Sequence, residues 1–483
     1  MSASRHRPGS WFRRPAAVFI GGALVAALFA GDAGRNRLLL ANCLVITLAP
    51  GQEEPFAGFI VVGADGRIVE VGRGAAPAGI EAELVFDAAG KVAMPGFISG
   101  HSHLAGSVTR GLAADQWVTE WSKAISWLAA PGRPEPGDFY HYTLHGALDM
   151  LRGGVTTVYN YTTGPVGVGA NIYLEQLEAE FDAGGHFVFG YYPAVQQTGT
   201  TMVQLSADVR SYLNRIKDHP KRDLLLRSSF GSVAMRWTEE VSRAEFELLK
   251  AFPEFGLDMQ MHYLEPPPAV PRTIYERSNF PWLKRHGILG PNLTFAHFIH
   301  PTDAILAETA AAGATMIWNP LSNGRLGSGL ADIPRYLKAG MTVGMGLDGQ
   351  SSADIADPFE NMRVGLYGFR FRDADPRGLQ PIDMLRLHTI GTARAIRVAD
   401  QVGSLEVGKY GDVLLIDPFW PDTGPIVDLY ATLVLACDRM NIASVFVAGR
   451  HVMQHGRHTS LDMAKVAQEV QRRVATKRGR PVR

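Results

Sequence analysis

Residues 94–104 read MPGFISGHSHL. Phe97 and Ile98 lead through small residues to His101 and His103. Side chains alternate between the faces of a strand, so both imidazoles share one face. The C-terminal end of a barrel strand is where such residues do chemistry. In a chain with 15 histidines an isolated H-x-H pair is a common accident. Its meaning is decided by what recurs downstream.

Outward from this stretch, short apolar runs recur at 96–101, 155–161, 186–192, 224–231, 257–263, 293–298, 315–320 and 343–348. Helix-like stretches separate them, such as 138–154, 206–218, 242–252 and 302–313. Eight strand–helix units predict an α/β chain whose residues 94–395 form a (β/α)8 TIM barrel. The flanks read differently. RLLLANCLVITL at 37–48, GFIVVGADGRIVEVG at 58–72 and AELVFDAAG at 82–90 are β-rich, with a hairpin turn at Asp65-Gly66. Short strands return in DVLLIDP at 412–418 and ASVFVAGRHVMQHG at 443–456. Residues 34–93 and 396–460 are therefore expected to form one small β-sandwich domain into which the barrel is inserted. Residues 461–483 read as a closing helix and a basic tail.

The chain has 483 residues, with 47 basic and 47 acidic side chains. Zero net charge removes the footprint of a nucleic-acid-binding protein, so no nucleic-acid partner is expected. Two cysteines, Cys43 and Cys437, exclude a disulfide scaffold, a structural zinc finger and an iron–sulfur cluster. Histidines are left as metal ligands. Residues 1–33 hold Arg5, Arg7, Arg13 and Arg14, then an uncharged run from Pro15 to Ala30. This pattern predicts an export signal or a membrane anchor, and membrane contact only through that segment. In an exported chain the two cysteines could pair; in a cytosolic one they stay reduced.

Three further strands end in chemistry-bearing residues: His262 in MQMHYLE, His297 in FAHF and Asp348 in GMGLD. Four strands thus aim at one point above the barrel. His101, His103, His262 and Asp348 suit a zinc-like ion, with one position left open for water. Glu265 follows His262 by three residues and can reach that water, the place of a proton shuttle.

Taken together, these residues resemble the amidohydrolase superfamily, in its cytosine/guanine deaminase and chlorohydrolase-like branch. PGFISGHSHL is similar to that family's first-strand motif, MHYLE to its H-x-x-E motif and AHF to its strand-six histidine. NPLSNGRLGSG at 319–329, VGMGLDGQSS at 343–352, ENMR at 360–363 and GSLEVGKYGDVLLID at 403–417 continue the likeness in order over residues 36–460. The resemblance implies one divalent metal, zinc first and iron or manganese as alternatives, held by His101, His103, His262 and Asp348. It implies that Asp348 takes a proton from the attacking water. Glu265 would pass a proton to the substrate, and His297 would hydrogen-bond the nucleophile or polarise the reacting carbon. Binuclear relatives use a carboxylated lysine on strand four; LLLRSSFG has none. The implied reaction on a small molecule is hydrolytic deamination of an amino-substituted heterocycle or amidine, by hydroxide generated at the metal. Displacement of chloride or alkylamine from a triazine-like ring, or cleavage of a cyclic amide, shares the same attack. A non-catalytic exported binding protein is the alternative of another class. A homo-oligomer is also implied.

The specificity pocket departs from the family. FGSVAMRW at 230–237 lacks the histidine that nucleoside-type deaminases carry after strand four, and Asn160 stands where an aspartate often ends strand two. Arg236, Trp237, Trp318, Asn319 and Arg325 are read as pocket residues. Two other motifs mislead. GMGLDG at 344–349 fits G-x-G-x-x-G but closes a strand around Asp348. GSLEVGK at 403–409 lacks the Ser or Thr of a phosphate loop, having Tyr410 there. His300 is expected to face away from His297, and His141 and His145 to lie on the surface.

Overall fold

The computed structural model describes residues 35–52, 54–125, 134–164, 171–192, 202–232 and 239–477. Eight parallel strands make the barrel: β6 (Phe97–Ser102), β7 (Val155–Tyr161), β8 (His186–Tyr191), β9 (Leu225–Ser232), β10 (Met259–Tyr263), β11 (Leu293–His297), β12 (Thr315–Trp318) and β13 (Thr342–Met345). They pair in chain order. The ring draws closed where the Asp348 amide donates to the His101 carbonyl at 3.0 Å. Most of these strand residues are buried, as expected for strands covered on both faces. That is why they read as continuous apolar runs rather than alternating ones.

Both chain ends meet in a second sheet. β1 (Asn36–Val45), β2 (Phe56–Val62), β3 (Ile68–Arg73), β4 (Ala82–Asp87) and β5 (Val92–Pro95) precede the barrel. β14 (Val413–Ile416), β15 (Ile442–Val447), β16 (Arg450–Gln454) and β17 (Arg457–His458) follow it. All nine belong to one hydrogen-bonded sheet, joined where β5 pairs antiparallel with β14. β2 and β3 form the expected hairpin, with Gly66 at φ 84° in the turn.

Alternation along β5 and β14 explains how this sheet is used. Val92, Met94, Leu414 and Ile416 join the large barrel core, while Ala93, Val413 and Leu415 belong to a separate core with Leu38, Val45 and Phe446. Each strand thus serves two cores with opposite faces. Cys43 sits in the smaller core and Cys437 in the larger, and both are free thiols. Gly96 links β5 to β6 hard against Thr156, where a Cβ would overlap the threonine side chain. Among the described residues no helix is long and apolar enough to cross a membrane. The segment 1–33 lies outside the described residues.

Helices cover the barrel. The ones used below are α1 (Asp138–Arg152), α2 (Asn171–Ala183), α3 (Pro271–Arg285), α4 (Pro320–Arg325) and α5 (Pro358–Asp373).

Candidate metal centre and active site

His101 lies in β6, His262 in β10 and His297 at the end of β11; His103 and Asp348 follow β6 and β13. All are buried except His103, which is partly buried. Single ligand atoms of His101, His103 and Asp348 fall within 4.8 Å of one another, as do those of His101, His262 and His297. Asp348 Oδ1 is 3.5 Å from Nε2 of both His101 and His103. His103 Nε2 is 3.1 Å from His262 Nε2.

The hydrogen bonds behind the rings set their tautomers. His103 Nδ1 lies 2.9 Å from the Tyr161 carbonyl, which can only accept, so Nδ1 carries the proton. Gln260 donates through Nε2 to the Gly100 carbonyl at 2.8 Å, which turns its Oε1 toward His101 Nδ1 at 2.6 Å. His101 is therefore also protonated at Nδ1. Both rings present Nε2 lone pairs to the centre. His101 Nε2 is buried with no hydrogen-bond partner. Buried lone pairs converging on a carboxylate oxygen would be costly alone and suit a cation.

Asp348 Oδ2 accepts from Ser322 Oγ at 2.7 Å and Oδ1 from the Gly349 amide at 2.9 Å. Burial acts to raise its carboxyl pKa, but His101, His297, His103 and the Ser322 hydroxyl outweigh it and hold the group below the usual range. Burial, helped by His103, pushes His101 down to about 3, so its ring is neutral at ordinary pH. His297 and Asp348 adopt φ of 70° and 55°, left-handed values that are uncommon outside glycine. Such conformations collect at functional sites.

Glu265 is buried, with Oε1 3.7 Å from His297 Nε2. On the far side of that ring, Asn323 Nδ2 lies 2.9 Å and Asn319 Nδ2 3.4 Å from His297 Nδ1. An amide NH2 donates, so Nδ1 accepts and the proton sits on Nε2. His297 thus has the opposite tautomer to His101 and His103, and offers a donor beside Glu265.

This arrangement has counterparts among known proteins. The amidohydrolase family matches residues 92–452 of the chain. The chain belongs to the amidohydrolase family. It is a metal-dependent hydrolase of carbon–nitrogen bonds other than peptide bonds. A 5-methylthioadenosine/S-adenosylhomocysteine deaminase of Desulforudis audaxviator is 28% identical over 453 residues, covering 90% of this chain and 98% of the relative. A 5'-deoxyadenosine deaminase of Methanosarcina mazei is 25% identical, covering 90% and 97%. Among solved structures, a zinc-bound adenosine deaminase of Xanthomonas campestris superposes with a TM-score of 0.81 at 21% identity, over 93% of this chain and 100% of that one. An atrazine chlorohydrolase of Arthrobacter aurescens, also with zinc, superposes at 0.79 and 21% identity, over 90% and 100%. At this identity the two structures speak for the fold.

The remaining sequence-read positions of this amidohydrolase fall in different places. Trp318 is a correction. It is fully buried, with its ring 5.5 Å from Phe369 and pressed on Gly365, both on α5. Its neighbours therefore lie in the strand–helix layer rather than in the site. Adjacent strand residues point to opposite faces, so Trp318 and Asn319 could not both line one cavity. Asn319 is the one behind His297. Arg325 is also reassigned, because its guanidinium is spent as a clamp: Nε pairs with Asp354 at 2.8 Å, and Nη1 and Nη2 reach the Ala113 and Leu112 carbonyls at 3.3 and 3.1 Å. Arg236 and Trp237 lie outside the described residues. Asn160 bonds the Leu104 amide and Glu180 of α2, again behind the site. His300 bonds the Ser328 carbonyl at 2.6 Å. His145 is half-buried and bonds Ser107 Oγ at 3.1 Å, a structural contact.

Sequence reading missed Gln260, Ser322, Asn323 and the Tyr161 carbonyl. Gln260 had a legible signal: it precedes His262 by two, so it shares that strand face. Ser322 and Asn323 lie on α4, inside a motif whose members had not been given separate roles.

Proposed function

We propose that the protein is a hydrolytic deaminase of an amino-substituted heterocycle, with a 6-aminopurine nucleoside as the first substrate class. The observation that carries the reaction is the pairing of two imidazoles, His101 and His103, whose Nδ1–H groups are held from behind so that Nε2 faces the centre, against a third, His297, fixed as an Nε2–H donor next to Glu265. The aminopurine class rests on the two deaminase relatives. Ring amine and water become ring carbonyl and ammonia.

His101, His103, His262 and Asp348 would hold one divalent cation, zinc first, whose chemistry is to lower the pKa of water toward about 7 and act as a Lewis acid. The protein's own groups do the rest. Asp348, kept ionised, takes a proton from the attacking water. His297 Nε2–H steadies the oxygen as it adds to the ring carbon. Glu265 carries a proton to the ring nitrogen and then to the departing amine, so that ammonia and not amide ion leaves. Ser322 and the Gly349 amide keep the Asp348 carboxylate facing His101 and His103.

Ammonia release from purines, nucleosides, aminopyrimidines and amino-triazines tests this with zinc-loaded protein. Release from aminopurine nucleosides that vanishes in Glu265→Gln is expected. Chloride or alkylamine release without ammonia would point instead to displacement on a triazine-like ring. Metal bound with no turnover of any compound would favour a binding role. We also propose export or anchoring by residues 1–33; their fusion to a reporter should move it out of the cytosol, and a purely cytosolic reporter ends that claim.

A further inference from the structure

His262 and Glu265 are three residues apart, which on an extended strand puts their side chains on opposite faces. Yet both reach the same centre: His262 Nε2 is 3.1 Å from His103 Nε2, and Glu265 Oε1 is 3.7 Å from His297 Nε2. The chain between them turns at Leu264, whose φ is 51°. That conformation costs a branched, non-glycine residue free energy and persists only when surroundings impose it.

The first turns of α3 impose it. Arg272 and Glu276 are four apart on that helix, so they share a face. Arg272 Nε pairs with Glu276 Oε1 at 2.7 Å. From this pair, contacts run to consecutive residues of the turn. Arg272 Nη2 donates to the His262 carbonyl at 3.4 Å. The Tyr263 hydroxyl donates to the Glu276 carbonyl at 2.5 Å. The Leu264 amide donates to Glu276 Oε2 at 2.5 Å. Arg272 Nη1 lies 3.5 Å from Glu265 Oε2. Thr273 Oγ1 then donates to the Pro266 carbonyl at 2.6 Å. Five successive residues, 262 to 266, are thus tied to one helix start.

The two carboxylates on Arg272 are held differently. Each Glu276 oxygen takes a short hydrogen bond. Glu265 sits at 3.5 Å, within reach of the charge but beyond a normal hydrogen bond.

We propose that Arg272 and Glu276 are positioning residues that force the left-handed turn at Leu264 and set the Glu265 carboxylate beside His297. This rests on Glu265 being the proton shuttle of the proposed reaction. Residues that orient working groups in this way cost about 10–100-fold when removed.

The test compares Arg272→Gln, Arg272→Lys and the charge-neutral pair Arg272→Gln/Glu276→Gln, which keeps hydrogen bonding if the single change misfolds. Expected for Arg272→Gln is a kcat drop of about 10–100-fold with KM and bound metal unchanged. Its acid limb moves to higher pH, because losing the cation makes Glu265 easier to protonate. Arg272→Lys restores part of that shift. A rise in KM alone, or loss of metal, would overturn the proposal. A wild-type enzyme silent on every compound would defeat the proposed reaction instead. The crystal structure of Arg272→Gln then decides: Glu265 remaining 3.7 Å from His297 overturns the clamp, and its swinging away supports it.

Discussion

Which nitrogen of a neutral histidine presents the lone pair is set by what holds the proton on the other. For His103 that is the Tyr161 carbonyl; for His101 it is Gln260, itself locked by Gly100. Removing a ligand and removing its orienting partner should therefore differ in degree. His262→Ala is expected to abolish stoichiometric metal, read by elemental analysis of purified protein; full stoichiometry would refute the ligand set. Gln260→Leu keeps all four proposed ligands but frees His101 to move its proton from Nδ1 to Nε2 or to rotate. Its metal affinity should fall about 10–100-fold in chelator competition, with the fold intact. An unchanged affinity would mean that packing alone orients His101.

At the scale of elements, β12 and α5 show what strand-level reading gets right and wrong. Strand existence and order were legible because each run is apolar, short and punctuated. The side to which each residue points was legible too, but was applied only to histidines. Applied to Trp318, it would have set that ring away from Asn319. The Arg325 clamp had no local signal, since Leu112, Ala113 and Asp354 are distant in sequence. Neither did Arg272, whose role depends on where α3 begins relative to β10. The β12–α5 contact makes its own prediction. A methyl at Gly365 would overlap the buried Trp318 ring. Gly365→Ala should lose about 1–3 kcal/mol in denaturant unfolding, because a packed indole has nowhere to move. Helix propensity pulls the other way by under about 1 kcal/mol, so destabilisation wins. Equal or greater stability would show that α5 shifts freely.

Across the whole molecule, the insertion was legible from β-rich ends flanking the strand–helix alternation, but the pairing of β5 with β14 was not. No local pattern specifies partners more than 300 residues apart. Buried polar pins secure that arrangement: His186 of β8 pairs with Asp412 beside β14 at 2.9 Å. His388, on the path from barrel to sheet, holds the return. Its Nδ1–H donates to the Ile98 carbonyl of β6 at 3.0 Å, and Nε2 accepts from Asn361 of α5 at 3.1 Å. Asn361 also donates to the Gly346 carbonyl and accepts from the Leu321 amide, so it cannot turn over to suit a protonated ring. Burial pushes His388 down to about 4, from about 6.5 when unfolded. The unfolded chain therefore binds this proton first as pH falls. The stability contributed is complete above about pH 6.5 and drains away between there and about 4, by roughly 3 kcal/mol. His388→Gln should be less stable at pH 7.5 through lost packing, yet lose less on acidification. Urea midpoints of metal-free protein across pH 4–7.5 measure this, with chelator present so that metal release adds nothing. Parallel decline in both proteins would show that His388 is not the group being titrated.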